Sequence, residues 1–381
     1  MLALKALTIH ERYRNSCINL IASENVLSPA VKKALASDMA SRYALRPEFY
    51  GGTARIHDVW EIAENLGKEV FNADYCHVSP LSGHVALMMS LYVTAGKNST
   101  IACVDPSGDG YPGLMPDKIP DLFNYKVVNL PYRDHQILID EAVQFIESLK
   151  PRVVVLGSSL ILYPFPVKEV SEVVHGYGGY VVYDGSHVLG LIAGGRFQKP
   201  LAEGADILLG STHKSFFGPQ GGIILTNSPE LHKALSESTF HKFVDNIHFN
   251  RVAALAVALD EMRRNGRLYA ERVIENAVEL ASCLDRLSLK PFKSSSGYTE
   301  SHQVYLPFNV SEGVRVRDLL EKNRIIVDMA VRLGTAEVSR RGMGLKQMSA
   351  ISKLIKSALN GEDVSAEARL LASRFRTVRY T

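Results

Sequence analysis

Apolar and polar positions alternate in two rhythms along the first two thirds of the chain. Compact apolar runs at 99–105, 126–131, 152–158, 180–184, 206–210 and 222–226 are rich in Val, Ile and Leu and are bounded by turn residues, so they read as strands. Residues 55–73 place Ile56, Val59, Trp60, Ala63, Leu66 and Val70 at helical spacing, and 140–149 and 167–175 repeat that rhythm between strands. Strands alternating with helices predict an α/β fold whose sheet is mainly parallel and covered on both faces.

Beyond residue 229 the pattern changes. Helical stretches are expected at 251–264 and 267–287, then β-rich runs at 302–307 and 325–333 alternating with helices at 314–321 and 345–359. This predicts a smaller α+β domain at 267–381, after an N-terminal arm (1–50) and a large domain (51–266). The charged tail at 363–376 is expected to be a solvated surface helix.

Composition narrows the class. Hydrophobic residues make up 46% of the 381 residues, enough for a sizeable core and for more than one domain. The net charge is +3 with no dense basic run, which argues against nucleic acid as a partner. Cys17, Cys76, Cys103 and Cys283 are scattered, and the twelve histidines show no ligand-like spacing, so neither a disulfide framework nor a metal is expected. No signal peptide is read at the start, and no apolar run reaches the roughly 18 residues of a membrane span. A cytoplasmic protein is expected.

The chemistry concentrates where two of the strands end. Asp184 closes one β-rich run and is followed by Gly-Ser-His187; the next run ends in Gly-Ser211-Thr-His213-Lys214. Neighbouring parallel strands would bring both ends to the carboxyl edge of the sheet, where ligands bind in such folds. A lysine among apolar neighbours loses affinity for its proton and becomes a nucleophile toward carbonyls. An amine, a carboxylate and an imidazole in one cleft suit pyridoxal phosphate, whose pyridine nitrogen needs an acid beside it. An exposed lysine loop and a helix-capping Asp fit the same residues.

Other motifs divide in the same way. Ser82-Gly83 opens a helix and suits either a phosphate or a plain N-cap. The glycine-rich segment 105–113 carries one aromatic, Tyr111, able to stack on a planar ring or simply to fill a turn. Arg332 interrupts a β-rich run, either as a surface residue or as a clamp for a carboxylate.

The segment Ile18-Asn-Leu-Ile-Ala-Ser-Glu-Asn25 resembles the Leu-Ile-Ala-Ser-Glu-Asn motif of serine hydroxymethyltransferases. Tyr50-Gly-Gly, Ser82-Gly83, Asp184-Gly-Ser-His187, Ser211-Thr-His-Lys214, Gly218-Pro-Gln-Gly-Gly and the run from Arg332 to Gly342 follow in that family's order. The resemblance implies the aspartate-aminotransferase-like fold (fold type I) and a homodimer with shared active sites acting on a small amino acid. It also implies retro-aldol interconversion of serine, or another β-hydroxy amino acid, and glycine. By position, Lys214 resembles the lysine that binds the cofactor, Asp184 the partner of the pyridine nitrogen, and His187 its neighbour on the ring. Ser82, Gly83, Ser211 and His213 match further cofactor-binding positions, and Tyr111 matches the stacking position. Ser23 and Arg332 match the pair that holds the substrate carboxylate. Tyr43 and Tyr50 match tyrosines reaching in from a partner subunit, Tyr43 toward the cofactor and Tyr50 toward the substrate.

The departures bear on the co-substrate, tetrahydrofolate or another reduced pterin. Tyr43-Ala-Leu-Arg-Pro-Glu-Phe-Tyr50 is three residues shorter than the family's segment and puts Leu45 where a glutamate is normal, with Glu48 nearby. The family's glycine-rich Phe-Pro-Gly-x-Gln-Gly-Gly loop is replaced by Phe240-His-Lys-Phe-Val-Asp-Asn-Ile-His248, and Gln220 replaces an arginine. Folate-independent cleavage of threonine-like substrates, or aminotransferase-like chemistry on another amino acid, are the alternatives.

Overall fold

The structure is a computed structural model that describes residues 1–380. Two compact units are present: one runs from Leu27 to Arg267, and the other combines Met1–Val26 with the chain from Leu268 onward.

The larger unit is built on a seven-stranded sheet. Its strands are β1 (Tyr75–His77), β2 (Thr100–Cys103), β3 (Lys126–Asn129), β4 (Val153–Leu156), β5 (Tyr180–Asp184), β6 (Ile207–Ser211) and β7 (Gly222–Thr226). Their order is β1-β7-β6-β5-β4-β2-β3, and β3, β2, β4, β5 and β6 run parallel while β7 is antiparallel to both neighbours. All six expected strands form. Every residue of β4, β6 and β7 is buried, as continuous apolar strands covered on both faces should be. The three-residue β1 is too short to leave a periodic trace.

Helix Gly83–Ala95 packs on this sheet, and Leu87, Met89 and Leu91 join Val153, Val155, Val182, Ile207 and Leu209 in one core. Helix Ala54–Phe71 buries Ile56, Trp60 and Ala63, so the sole tryptophan is core as its spacing predicts. Arg46 stacks on its ring at 3.9 Å, and its indole donates to Glu64 at 2.8 Å.

Three expectations for the rest of the chain need correction. The two helices expected at 251–264 and 267–287 are one helix, Phe249–Arg286. Gly266 does not break it, although glycine in a helix costs about 1 kcal/mol relative to alanine; the space a Cβ would take is filled by the Met262 side chain. The β-rich run at 325–333 is two strands in separate small sheets. Ile325–Ile326 pairs with Ile18–Asn19, and Arg332–Gly334 pairs with Gln303–Tyr305. A turn separates them, in which Val331 adopts φ 51° and the Asp328 carboxylate accepts from the Arg332 amide at 3.1 Å. Finally, the charged tail is not merely solvated, because helix Ser365–Ser373 inserts Ala368 and Ala372 into the core of the smaller unit.

Among the described residues no helix is long and apolar enough to cross a membrane.

Leu209, fully buried at the centre of the sheet, supplies a stability test. Leu209→Ala is expected to lose about 2–5 kcal/mol in denaturant unfolding, whereas Leu122→Ala, at 62% exposure, should stay within about 0.5 kcal/mol of the wild type.

Candidate active site

Strand register decides where the chemistry sits. Asp184 is the last residue of β5, and β5 and β6 run parallel with Asp184 opposite Leu209, so Lys214, three residues beyond the end of β6, returns to the same edge. Gly157, just past β4, makes room for the acid, because a Cβ there would press within 2.6 Å of the Asp184 Cβ. One pocket is lined by Gly83, His84, Tyr111, Ser158, Ser159, Asp184, Ser186, His187, Ser211 and Lys214.

Asp184 has its remaining exposure toward this pocket, and its carboxylate is otherwise buried. Burial pushes its pKa above the usual carboxylate value, opposed by the Ser186 side chain, by the Lys214 charge and by the Ser186 amide, which donates to Oδ1 at 3.0 Å. Burial, and then the Lys214 charge, push His213 down to about 4, and its Nδ1 is buried with no hydrogen-bond partner. His187 is 5% exposed and sits in the pocket wall.

At the opposite wall the helix Gly83–Ala95 begins. Ser82 is its N-cap, accepting from the Val85 amide at 3.1 Å, so its hydroxyl performs the capping role. The first amides of that helix have no partner within it, which makes this end suited to a phosphate. A side chain on Gly83 would collide with Ser211 Oγ, whose amide is in turn held by Ser186 Oγ at 3.0 Å. A glycine between two hydroxyls at a helix start, a buried acid and a lysine on one edge fit pyridoxal phosphate. Lys214 could take its aldehyde, Asp184 its ring nitrogen, and Ser82, Gly83 and Ser211 its phosphate.

The remaining predicted residues lie outside this pocket. Tyr43 and Tyr50 are 47% and 41% exposed, with ring centroids 5.7 Å apart. Ser23 and Arg332 belong to the smaller unit. There Ile21 bridges Leu333 and the Gly334 amide donates to the Leu20 carbonyl at 2.7 Å, so both residues leave neighbouring backbone segments. Arg332 is a partly buried strand residue paired with Asp328, Nη to Oδ2 at 2.9 Å and Nε to the same oxygen at 3.0 Å.

Sequence reasoning missed His84, Ser158, Ser159 and Ser186 as pocket residues. Ser158 and Ser159 follow the end of β4, and the rule that ligands gather at carboxyl strand ends was the signal that could have found them.

Fold and pocket together define a fold type I pyridoxal-phosphate enzyme. The chain matches the serine hydroxymethyltransferase family over residues 3–355. It is similar to the serine hydroxymethyltransferase of Methanopyrus kandleri, with 38% identity over 99% of this chain and 94% of that one. The same named enzyme of Korarchaeum cryptofilum is 37% identical over 97% and 94%. Among solved structures, the L-threonine transaldolase of Pseudomonas fluorescens superposes with a TM-score of 0.92 at 24% identity, covering 100% of this chain and 93% of that one, a likeness of fold. The chain belongs to the serine hydroxymethyltransferase family.

Two outcomes follow. Gly83→Ala should weaken pyridoxal phosphate binding at least about tenfold in an absorbance titration, a loss of about 1.4 kcal/mol, because the new methyl collides with Ser211. The raised pKa of Asp184 means that its contribution to stability is present at acid pH and is lost as pH rises through and above the usual carboxylate range. Asp184→Asn should therefore raise the melting temperature of the cofactor-free protein at pH 7, with no gain at pH 3, while weakening cofactor binding.

Proposed function

We propose that the protein interconverts serine, or another β-hydroxy amino acid, and glycine, with pyridoxal phosphate held in the large unit's pocket. The observation that carries this reading is the meeting of Lys214, Asp184 and the Gly83–Ser211 cradle at one sheet edge. When bound, the cofactor supplies an electron sink for the charge that develops at the amino acid's α-carbon.

The chain's own residues do the rest. Lys214 would hold the cofactor by its aldehyde, with its amine displaceable by the incoming amino acid's. Asp184, ionised against the cost of burial, holds a proton on the ring nitrogen, so the penalty it carries in the free protein is offset when that cationic partner arrives. His187 and Tyr111, which line the pocket, would contact the bound ring, and Ser82, Gly83, Ser211 and His213 would complete the cofactor's setting. Ser23 and Arg332 hold the substrate carboxylate; the guanidinium, steadied by Asp328, fixes which bond at the α-carbon is aligned to break. In this reading the enzyme is a cytoplasmic homodimer, with Tyr43 and Tyr50 reaching the site of the partner subunit. Tetrahydrofolate or another reduced pterin accepts the one-carbon unit.

One observation favours a second reading. Leu45 is a half-buried hydrocarbon where the family's glutamate is expected, and Glu48 is engaged by Thr53 Oγ1 at 3.3 Å with His57 at 3.6 Å. Aldol cleavage without a pterin needs fewer of the replaced groups.

The deciding experiment measures glycine formed from L-serine and from L-threonine, each with and without tetrahydrofolate. Glycine from serine that depends on tetrahydrofolate is the expected result; cleavage indifferent to it selects the second reading, and a keto acid product would reject both. Lys214→Ala should remove the protein's visible cofactor absorption and its turnover together.

A further inference from the structure

Two side chains in the pocket form a pair that cofactor binding does not account for. His84 Nδ1 lies 2.9 Å from the Tyr111 hydroxyl, and both residues line the pocket with Asp184 and Lys214. The Tyr111 ring packs on the backbone of Gly113, where any Cβ would strike it, and the His84 ring meets it at 66° with centroids 6.1 Å apart.

The loop behind Tyr111 is pinned as well. The Ser159 amide donates to the Asp109 carbonyl at 2.7 Å and Ser159 Oγ to the Gly110 carbonyl at 3.1 Å. The Asp109 carboxylate accepts from the Tyr132 hydroxyl at 3.0 Å and pairs with His135 at 2.5 Å. The Tyr111 hydroxyl is thus fixed in place, as a group that transfers protons must be.

Polarity gives the pair a direction. Burial, and then the Asp184 charge, raise the pKa of Tyr111, so its phenol keeps its proton and donates to His84 Nδ1. The neutral imidazole then carries its own proton on Nε2, and His84 is an exposed residue. Two hydrogen-bonded groups therefore link a half-buried hydroxyl to water. Aldol cleavage requires the β-hydroxyl to lose a proton as the Cα–Cβ bond opens, and the chain has Leu45 where a glutamate is expected.

Resting on the reading of the Lys214 pocket given above, we propose that Tyr111 and His84 form a proton relay that removes the substrate's β-hydroxyl proton to solvent and returns it in the reverse direction. The substrate O–H bond breaks and its proton passes to the Tyr111 oxygen, while the Tyr111 proton passes to His84 Nδ1. The electron pair of the substrate O–H bond stays on oxygen and becomes the second bond of the aldehyde carbonyl. The imidazolium then releases its Nε2 proton to water, leaving the proton on Nδ1, and a ring flip or proton exchange with water restores the starting tautomer. The charged and titratable groups around the pair are Asp184, His187 and Lys214 in the other pocket walls, with Asp109 and His135 behind the loop.

The test uses the full-length enzyme loaded with pyridoxal phosphate and the variants Tyr111→Phe, His84→Ala and both together. Cleavage of L-threonine, and of L-serine with tetrahydrofolate, should slow about 10²–10⁴-fold in each single variant. The double variant should be no slower than the slower single one, as for groups acting as a unit. In His84→Ala, cofactor absorption and exchange of the glycine α-proton with D2O should be unchanged, and imidazole should restore part of the cleavage rate. In the cofactor-free protein, histidine nitrogen NMR should find His84 Nδ1 unprotonated at neutral pH and altered by Tyr111→Phe. Wild-type cleavage rates in either single variant, multiplying effects in the double, or a loss of glycine exchange in His84→Ala equal to its loss of cleavage would overturn the relay. If the wild type itself binds no cofactor and exchanges no glycine proton, it is the pocket reading that fails; the NMR result still decides whether the pair exists.

Discussion

The burial of the Asp184 carboxylate at the end of a strand is the constraint on which the rest of the site depends. A carboxylate so placed costs free energy unless an opposite charge meets it, and Ser186, through its side chain and its amide, and the Lys214 charge oppose that cost without cancelling it. The sheet makes the placement compulsory. Strands β4, β5 and β6 are wholly or almost wholly buried, their parallel register puts residues 157, 184 and 211 at one edge, and Gly157 is cut back to leave the acid its space. A position held at such cost makes sense when its partner is a cationic ring that arrives with the cofactor.

Around that acid the pocket is assembled from short loops whose geometry is set by the elements they join. Gly83 sits between Ser82, committed to its helix, and Ser211, the last residue of β6. The Lys214 loop is tied down next to it: Thr212 Oγ1 donates to the Pro219 carbonyl at 2.6 Å, and Ser215 Oγ accepts from the Gly190 amide at 3.1 Å. Arg251, 5% exposed, donates to the carbonyls of Val78 at 2.7 Å and Ile247 at 2.8 Å, anchoring the segment that leads from β1 to Ser82. The smaller unit repeats the device at Arg332, where Asp328 orients the guanidinium. Rigid loops of this kind make a pocket in which the positions of charge are fixed before a ligand arrives.

Much of this was legible from residues alone. The six long apolar runs became strands because a sheet covered on both faces demands unbroken hydrophobic segments, and the Asp184 and Lys214 edge followed from parallel register. What stayed hidden has physical reasons. Two helices are expected at 251–264 and 267–287, yet the chain stays helical through Gly266, whose small volume lets the Met262 side chain pack against it. The turn at Asp328–Val331 uses a β-branched residue at positive φ, which no propensity rule anticipates. His84 carries no local sequence signal, because its link to Tyr111 joins segments 27 residues apart.

The central claim is that Lys214 is the residue that takes the cofactor's aldehyde. The most direct measurement is borohydride reduction of the protein loaded with pyridoxal phosphate, followed by digestion and peptide mass spectrometry. The account predicts a single stable phosphopyridoxyl adduct on the peptide that contains Lys214, suppressed when the loaded protein is first saturated with glycine. An adduct on another lysine in its place, or none after full loading, would contradict it.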